Sequence, residues 1–218
     1  MRHRIGKAGL AMVLAMATAN SCGDISHPSR IDDFYDWRLV VGVDSLSFHW
    51  APALLPVRVW VEDTLGLPAH AQAGIEIWKR QFLYGEFDAV LVADSTTADI
   101  LLGASVSSAP KAEAVRLGSL LAPECTGVTS FPPIVDSIIT LPFRIRITPR
   151  TANPDSPAAT ACFGLTVAHE LGHAMGLFRH SSDAGDIMFF DPVAGPSTRD
   201  RNTIQQLYHF PADLKVSR

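Results

Sequence analysis

Alternating apolar positions predict several short strands along the chain. The segment Val57–Asp63 alternates and begins directly after Pro56, which is typical of a strand. The two segments before it, WRLVVGVD and SLSFHW, have the pattern of a short hairpin. Three apolar segments predict further strands: residues 87–94, 98–105 and 138–148.

Apolar residues with helical spacing predict three helices. The first covers residues 67–82, and its predicted buried face consists of Ala71, Ile75, Trp78 and Phe82. The second begins at Ser156 and Pro157, an N-cap residue followed by proline at the first helical position, and it can run to Gly176 as its C-terminal stop. The last helix is predicted from Thr198 to Tyr208. A chain of 218 residues with this order of elements is expected to form one domain.

Composition and charge exclude some classes of function. The chain is 47% hydrophobic, as is ordinary for a globular protein, and its net charge of −4 gives no broad basic surface for nucleic acid or an anionic membrane. The only basic cluster is Arg144, Arg146 and Arg150. Because these arginines are interleaved with Ile145 and Ile147, we expect the solvated face of a strand rather than a ligand site.

The N-terminal residues predict export. A basic start, MRHRIGK, precedes an apolar run, Ala8–Ala19, that is too short for a stable membrane anchor, so residues 1–21 are predicted to be a signal peptide. The small residues before Cys22 resemble the lipobox of bacterial lipoproteins, in which the cysteine is lipidated, although Asn20 is not favoured there. We therefore expect an envelope protein that is periplasmic or on the cell surface, with the lipid as its only membrane contact; the alternative is a soluble secreted protein.

Export also bears on Cys125 and Cys162. In an oxidising compartment such a pair tends to form a disulfide, which we predict here. The alternative is two separate buried thiols.

The motif HELGH at residues 169–173 predicts a metal site. His169 and His173 are four apart on the second predicted helix, so both imidazoles project from one face and can reach one zinc ion. Glu170, between them, is placed to accept a proton from a water that the metal activates. The alternative is a helix that carries two solvent-facing histidines.

A catalytic zinc normally takes three protein ligands, so a third must come from elsewhere. The chain has no glutamate after Glu170, and the residues that remain downstream are His180, Asp183, Asp186 and Asp191. A continuous helix would carry His180 about 10 Å beyond His173, too far to share an ion. For His180 to bind, the helix must end, and Gly176 can adopt the left-handed conformation that lets the chain reverse.

HELGHAMGL, followed by His180-Ser181 and by DIMF at residues 186–189, resembles the matrixin family of the metzincin clan. In that family a methionine follows the third histidine by eight residues, as Met188 follows His180, so Arg179 corresponds to an inserted residue. The resemblance implies that His169, His173 and His180 bind one zinc ion, that Glu170 is the general base and that Met188 lies beneath the metal; Asp183 is the reserve third ligand.

The resemblance also implies the architecture. It indicates an α+β fold in which a twisted, mostly parallel sheet with an antiparallel edge strand packs on a long active-site helix, followed by a C-terminal helix. Residues 22–52 are then a lipidated tether and lead-in, and residues 53–218 are the catalytic domain. No histidine lies between His70 and His169, so the second, structural zinc site of many matrixins is not expected, and nothing in the sequence supports calcium.

The implied function is a zinc-dependent endopeptidase. Its polypeptide substrate would lie extended along a sheet edge formed by residues 126–131, and a pocket beside the metal would be walled by residues 187–192. Phe189 and Phe190 indicate an apolar pocket, or else they belong to the core. Two other functions stay open: a non-catalytic, zinc-stabilised envelope module and a hydrolase that acts on cell-wall peptides. The sequence does not indicate the oligomeric state.

Overall fold

A computed structural model describes residues 33–105, 124–151 and 153–218. The predicted signal peptide and the predicted lipidation site, Cys22, lie outside the described residues. None of the helices in the described ranges is both long and apolar enough to span a membrane.

The described residues form a mixed α+β structure with three α-helices. The helices are α1 (Leu67–Lys79), α2 (Pro157–Ala174) and α3 (Thr198–His209). The strands are β1 (Leu39–Val41), β2 (Asp44–Leu46), β3 (Val57–Val61), β4 (Ala89–Val92), β5 (Ile100–Ala104), β6 (Cys125–Ser130), β7 (Ile134–Val135), β8 (Ile138–Thr140), β9 (Phe143–Pro149) and β10 (Lys215–Ser217). Single 3₁₀ turns lie at Pro52–Leu54 and Ser95–Thr97.

The central sheet has five strands in the order β4-β3-β5-β9-β6. Four of them are parallel, and β6 lies antiparallel to β9 at the edge of the sheet. In β9 the isoleucines are buried, while Arg144 and Arg146 are exposed, and Arg150 directly after the strand is exposed as well. The expected solvated face of this strand is therefore confirmed.

Helix α1 packs against α2 beside the histidine motif. Trp78 is fully buried and its indole Nε1 donates to the Ala168 carbonyl at 2.7 Å. The close approach depends on Gly74, where a Cβ would lie 2.9 Å from Leu171 Cδ1. The helix ends at Lys79, earlier than predicted, but Phe82 is still buried. Helix α1 therefore packs directly on the part of α2 that carries the motif.

The prediction of one strand over residues 138–148 is wrong. The segment forms two strands in different sheets: β9 in the central sheet, and β8 in a three-stranded sheet of order β10-β8-β7. Pro142 lies between them, and because proline has no N–H to donate to a ladder, it separates the two strands.

The compact unit begins at Asp33, ahead of the boundary at residue 53 that the sequence indicated. The predicted hairpin is present as β1 and β2, which pair antiparallel. Phe48 and Trp50 are fully buried, and the Trp50 indole donates to the Ala174 carbonyl at 3.0 Å. Residues of the expected lead-in therefore complete the core at the C-terminal end of α2.

Cys125 and Cys162 form a disulfide with an S–S distance of 2.04 Å, which confirms the predicted pair. The bond joins β6 to α2 across a separation of 37 residues. Replacing both cysteines by serine should lower the free energy of unfolding by about 3 to 4 kcal/mol, because the open chain gains conformational entropy when unfolded. Denaturant unfolding under non-reducing conditions measures the loss. Wild type treated with reductant is the control, and a change below about 1 kcal/mol would contradict the expected contribution.

Candidate metal centre

Helix α2 carries the HELGH motif and begins as predicted. Ser156 caps it through its Oγ, which accepts from the Ala159 N–H at 3.2 Å, and Pro157 occupies the first helical position. The last helical residue is Ala174, two positions before the predicted stop. The motif therefore occupies the last two turns of a capped helix.

Gly176 is where the chain turns back. Its φ is +112°, a conformation that residues with a Cβ rarely adopt. A Cβ at this position would also lie 1.9 Å from the Phe48 carbonyl oxygen. The reversal brings the Leu177 N–H to the Gly172 carbonyl at 3.1 Å and starts the return toward the motif.

The reversal brings three histidines together. One ligand atom from each of His169, His173 and His180 lies within 4.8 Å of the other two. The Nε2 atoms of His173 and His180 are 3.2 Å apart, close to the roughly 3.3 Å that two nitrogens at zinc-ligand distance would have in a tetrahedral site. His169 is buried, with 3% of its surface exposed, whereas His180 is exposed. The group therefore opens to solvent on the side of His180.

Backbone carbonyls fix two of the rings. His169 Nδ1 donates to the Ile187 carbonyl at 2.7 Å, and His173 Nδ1 donates to the Leu177 carbonyl at 2.5 Å. With the proton on Nδ1, Nε2 keeps its lone pair, the arrangement typical of metal-binding histidines. Burial lowers the pKa of His169 to about 4 and that of His173 to about 3, and it also lowers the pKa of His180. At neutral pH all three rings are neutral and able to bind a cation.

Met188 lies against the helix between the first two histidines. It is fully buried, and a Cβ at Gly172 would lie 2.5 Å from its Sδ. Its carbonyl accepts from the Ser181 N–H at 2.8 Å, which ties the turn to the residue after His180. The turn that contains Met188 therefore contacts Gly172, which lies between His169 and His173, and Ser181, which follows His180.

Helix α3 holds this turn through Asp200. The carboxylate accepts from the Ile187 N–H at 2.8 Å, from the Met188 N–H at 3.4 Å and from the Ser197 N–H at 2.8 Å. Tyr35, in the N-terminal segment (residues 33–38), also donates its hydroxyl to Asp200 at 2.8 Å. Sequence reasoning missed this role, although the spacing of Ser197 and Asp200 is a capping-box signal that marked the residue.

Arg179 and the reserve third ligand, Asp183, lie outside the group. Arg179 donates to Asp36 at 2.9 Å in an exposed ion pair, so its side chain is directed to the N-terminal segment. Asp183 lies 3.5 Å from Arg199 and accepts from the Gly185 N–H. The structure therefore places His180, and neither Asp183 nor Arg179, with the two motif histidines.

Glu170 is buried between α2 and the edge strand β6, with 4% of its surface exposed. Thr129 Oγ1 lies 2.6 Å from Glu170 Oε2 and 3.0 Å from the Glu170 carbonyl oxygen. A Cβ at Gly127 would lie 2.4 Å from Glu170 Oε1. Burial raises the pKa of Glu170 to about 7, although the Thr129 hydrogen bond opposes the rise. Sequence reasoning found neither Thr129 nor Gly127, because nothing local in CTGVTS marks a contact with Glu170, which lies 41 positions after Thr129.

The expected pocket wall is only partly exposed. Ile187 and Met188 are fully buried, Phe189 is partly buried and Phe190 is 68% exposed. The rings of Phe189 and Phe190 lie 4.4 Å apart. Phe190 is therefore not a core residue, and its ring is available at the surface beside the metal centre's turn.

The centre can hold a metal ion: three neutral imidazoles converge, and backbone carbonyls orient two of them. No known protein-family model matches the chain, and no curated protein matches it in sequence.

Proposed function

We propose that this protein is a zinc-dependent endopeptidase of the matrixin type, exported to the bacterial envelope and held there by a lipid on Cys22. The observation that carries the proposal is the convergence of His169, His173 and His180 beside Glu170. Three neutral imidazoles, two of them with the proton held on Nδ1, are a donor set that suits zinc. The turn at Met188, packed against the same helix, supports the matrixin assignment.

A zinc ion bound by three imidazoles supplies Lewis-acid chemistry, since it polarises a carbonyl group and lowers the pKa of water. The chain's own residues complete the reaction. The carboxylate of Glu170 accepts a proton from the attacking water and then donates it to the leaving amine nitrogen.

Strand β6 supports the assignment of a polypeptide substrate. It pairs with β9 on one side only, so within the described residues its other side has no partner strand. An extended peptide can add to such an edge through main-chain hydrogen bonds. Because Thr129 of this strand contacts Glu170, a peptide paired here would lie beside the proposed general base.

Two matched variants test the metal site, His180→Ala and Asp183→Ala. Zinc content after dialysis and zinc affinity by chelator competition are measured, together with cleavage of a peptide library followed by mass spectrometry. Wild type should bind one zinc. His180→Ala should lose more than the roughly 100-fold in affinity that an outer-shell change costs, and it should also lose cleavage. Asp183→Ala should match wild type, because its carboxylate is exposed and directed to Arg199.

The same measurements separate the other functions. Zinc loss in Asp183→Ala with retention in His180→Ala would overturn the ligand assignment. A wild type that binds zinc but cleaves no peptide would contradict the proposed enzymatic activity and favour the non-catalytic, zinc-stabilised module. Cleavage restricted to cell-wall peptides would show that the protein is a hydrolase of cell-wall peptides and not a general endopeptidase.

A further inference from the structure

Strand β6 and helix α2 face each other through two matched rows of residues. The strand contributes every second residue and the helix every fourth: Cys125, Gly127 and Thr129 face Cys162, Thr166 and Glu170. The disulfide closes one end of this contact. At the other end, Thr129 Oγ1 meets the carboxylate of Glu170 at 2.6 Å.

We propose that Thr129 is a positioning residue that holds Glu170 Oε2, and that Gly127 provides the space the carboxyl group needs. The proposal rests on the function proposed above, for which Glu170 is the general base. A hydroxyl has one proton to donate, and Oε2 at 2.6 Å is nearer than the main-chain oxygen at 3.0 Å. Oε1 then keeps its lone pairs for proton transfer.

The need for such a contact follows from the side chain itself. Glutamate has three rotatable bonds, and the helix backbone fixes none of its outer torsions. A general base must lie within hydrogen-bond reach of the proton it takes, and a misplacement of about 1 Å can cost roughly 100-fold in rate. Thr129 lies on the neighbouring strand β6, which the disulfide ties to α2. Its hydroxyl therefore restricts the position of the carboxylate.

Gly127 leaves room for the other side of the carboxyl group, because it has no Cβ. A Cβ there would lie 2.4 Å from Oε1 and 2.6 Å from Cγ of Glu170, and 2.7 Å from the Thr166 methyl carbon. The carboxyl end of Glu170 can move, but Glu170 Cγ and the methyl carbon of the buried Thr166 have little freedom, so an alanine would displace the carboxylate and also lower the stability of the contact.

Three variants test the proposal by steady-state kinetics on a cleaved peptide: Thr129→Val, Thr129→Ser and Thr140→Val. Valine keeps the shape of threonine but removes the donor, so kcat should fall by about 10- to 100-fold, with KM within about twofold and zinc content unchanged. Serine keeps the donor and should restore kcat to within about threefold of wild type. Thr140, an exposed residue of β8, is the matched control and should tolerate valine. A kcat for Thr129→Val within threefold of wild type, or an equal loss in Thr129→Ser, would overturn the proposal.

A second measurement does not depend on cleavage. The ¹³Cδ resonance of Glu170 in the zinc-loaded protein is assigned by its absence in Glu170→Gln and is compared at one alkaline pH. It should move in Thr129→Val and in Gly127→Ala and stay near the wild-type position in Thr129→Ser. An unchanged resonance in Thr129→Val would overturn the positioning role. If wild type cleaves no peptide, the endopeptidase proposal fails, while this resonance still decides whether Thr129 holds the carboxylate.

Discussion

Replacing Glu170 by glutamine should lower the rate of peptide cleavage by about 10²- to 10⁴-fold, the usual contribution of a general acid–base group. Glutamine has nearly the same shape, so its amide oxygen can still accept from Thr129 Oγ1, but the amide cannot take up the proton from water. None of the atoms in the histidine group belongs to Glu170. Zinc content should therefore stay at the wild-type value.

The rate is measured as kcat/KM on the best peptide from the library, and zinc is measured on the same preparation. Thermal unfolding is the control for folding, and since removal of a buried carboxyl relieves a desolvation cost, the variant should be at least as stable as wild type. A Glu170→Gln protein that retains a tenth or more of the wild-type rate would show that another group is the base. Loss of zinc from the variant would show that Glu170 is a ligand.

Replacing Gly176 by alanine should lower the free energy of unfolding by about 5 kcal/mol. Two costs combine at this position: a φ of +112° and a Cβ that would lie 1.9 Å from the Phe48 carbonyl oxygen. The backbone of Phe48 cannot move aside cheaply, because the residue is fully buried. A loss of this size consumes most of the stability of an ordinary domain.

Gly42→Ala is the matched control, since Gly42 also has a positive φ, +63°, but a Cβ there would have no atom within 4 Å. It should cost only about 1 kcal/mol, from backbone strain alone. Denaturant unfolding of the two variants separates strain from the clash. Equal losses at the two positions would contradict the role given to Phe48.

Local patterns were sufficient for the main elements of the fold and for two of the three histidines that converge. The spacing of Ala71, Ile75, Trp78 and Phe82 predicted α1 and its buried face, and all four residues are buried. Ser156 and Pro157 located the start of α2 because capping chemistry is encoded in adjacent residues. The positions of His169 and His173 on one helix face follow from helical geometry alone.

The rest depends on contacts between segments that are distant in sequence. The residues downstream of Glu170 left four candidates for the third ligand, and the matrixin resemblance selected His180. The partner of Arg179 is Asp36, which lies 143 residues away. The contacts of Thr129 with Glu170 cross 41 residues. Such pairs are set by how β6 docks on α2 and by how the N-terminal segment docks on α3 and on the residues after α2. No periodicity in either segment specifies that docking.

The covalent link between β6 and α2 has a consequence for binding entropy. An edge strand with one neighbour is normally among the first elements to open locally, so a ligand that pairs with it must first order it. Here Cys125, at the start of the strand, cannot separate from the helix. If an extended peptide binds at this edge as proposed, the strand is preorganised at this end, and more of the conformational cost of association falls on the peptide.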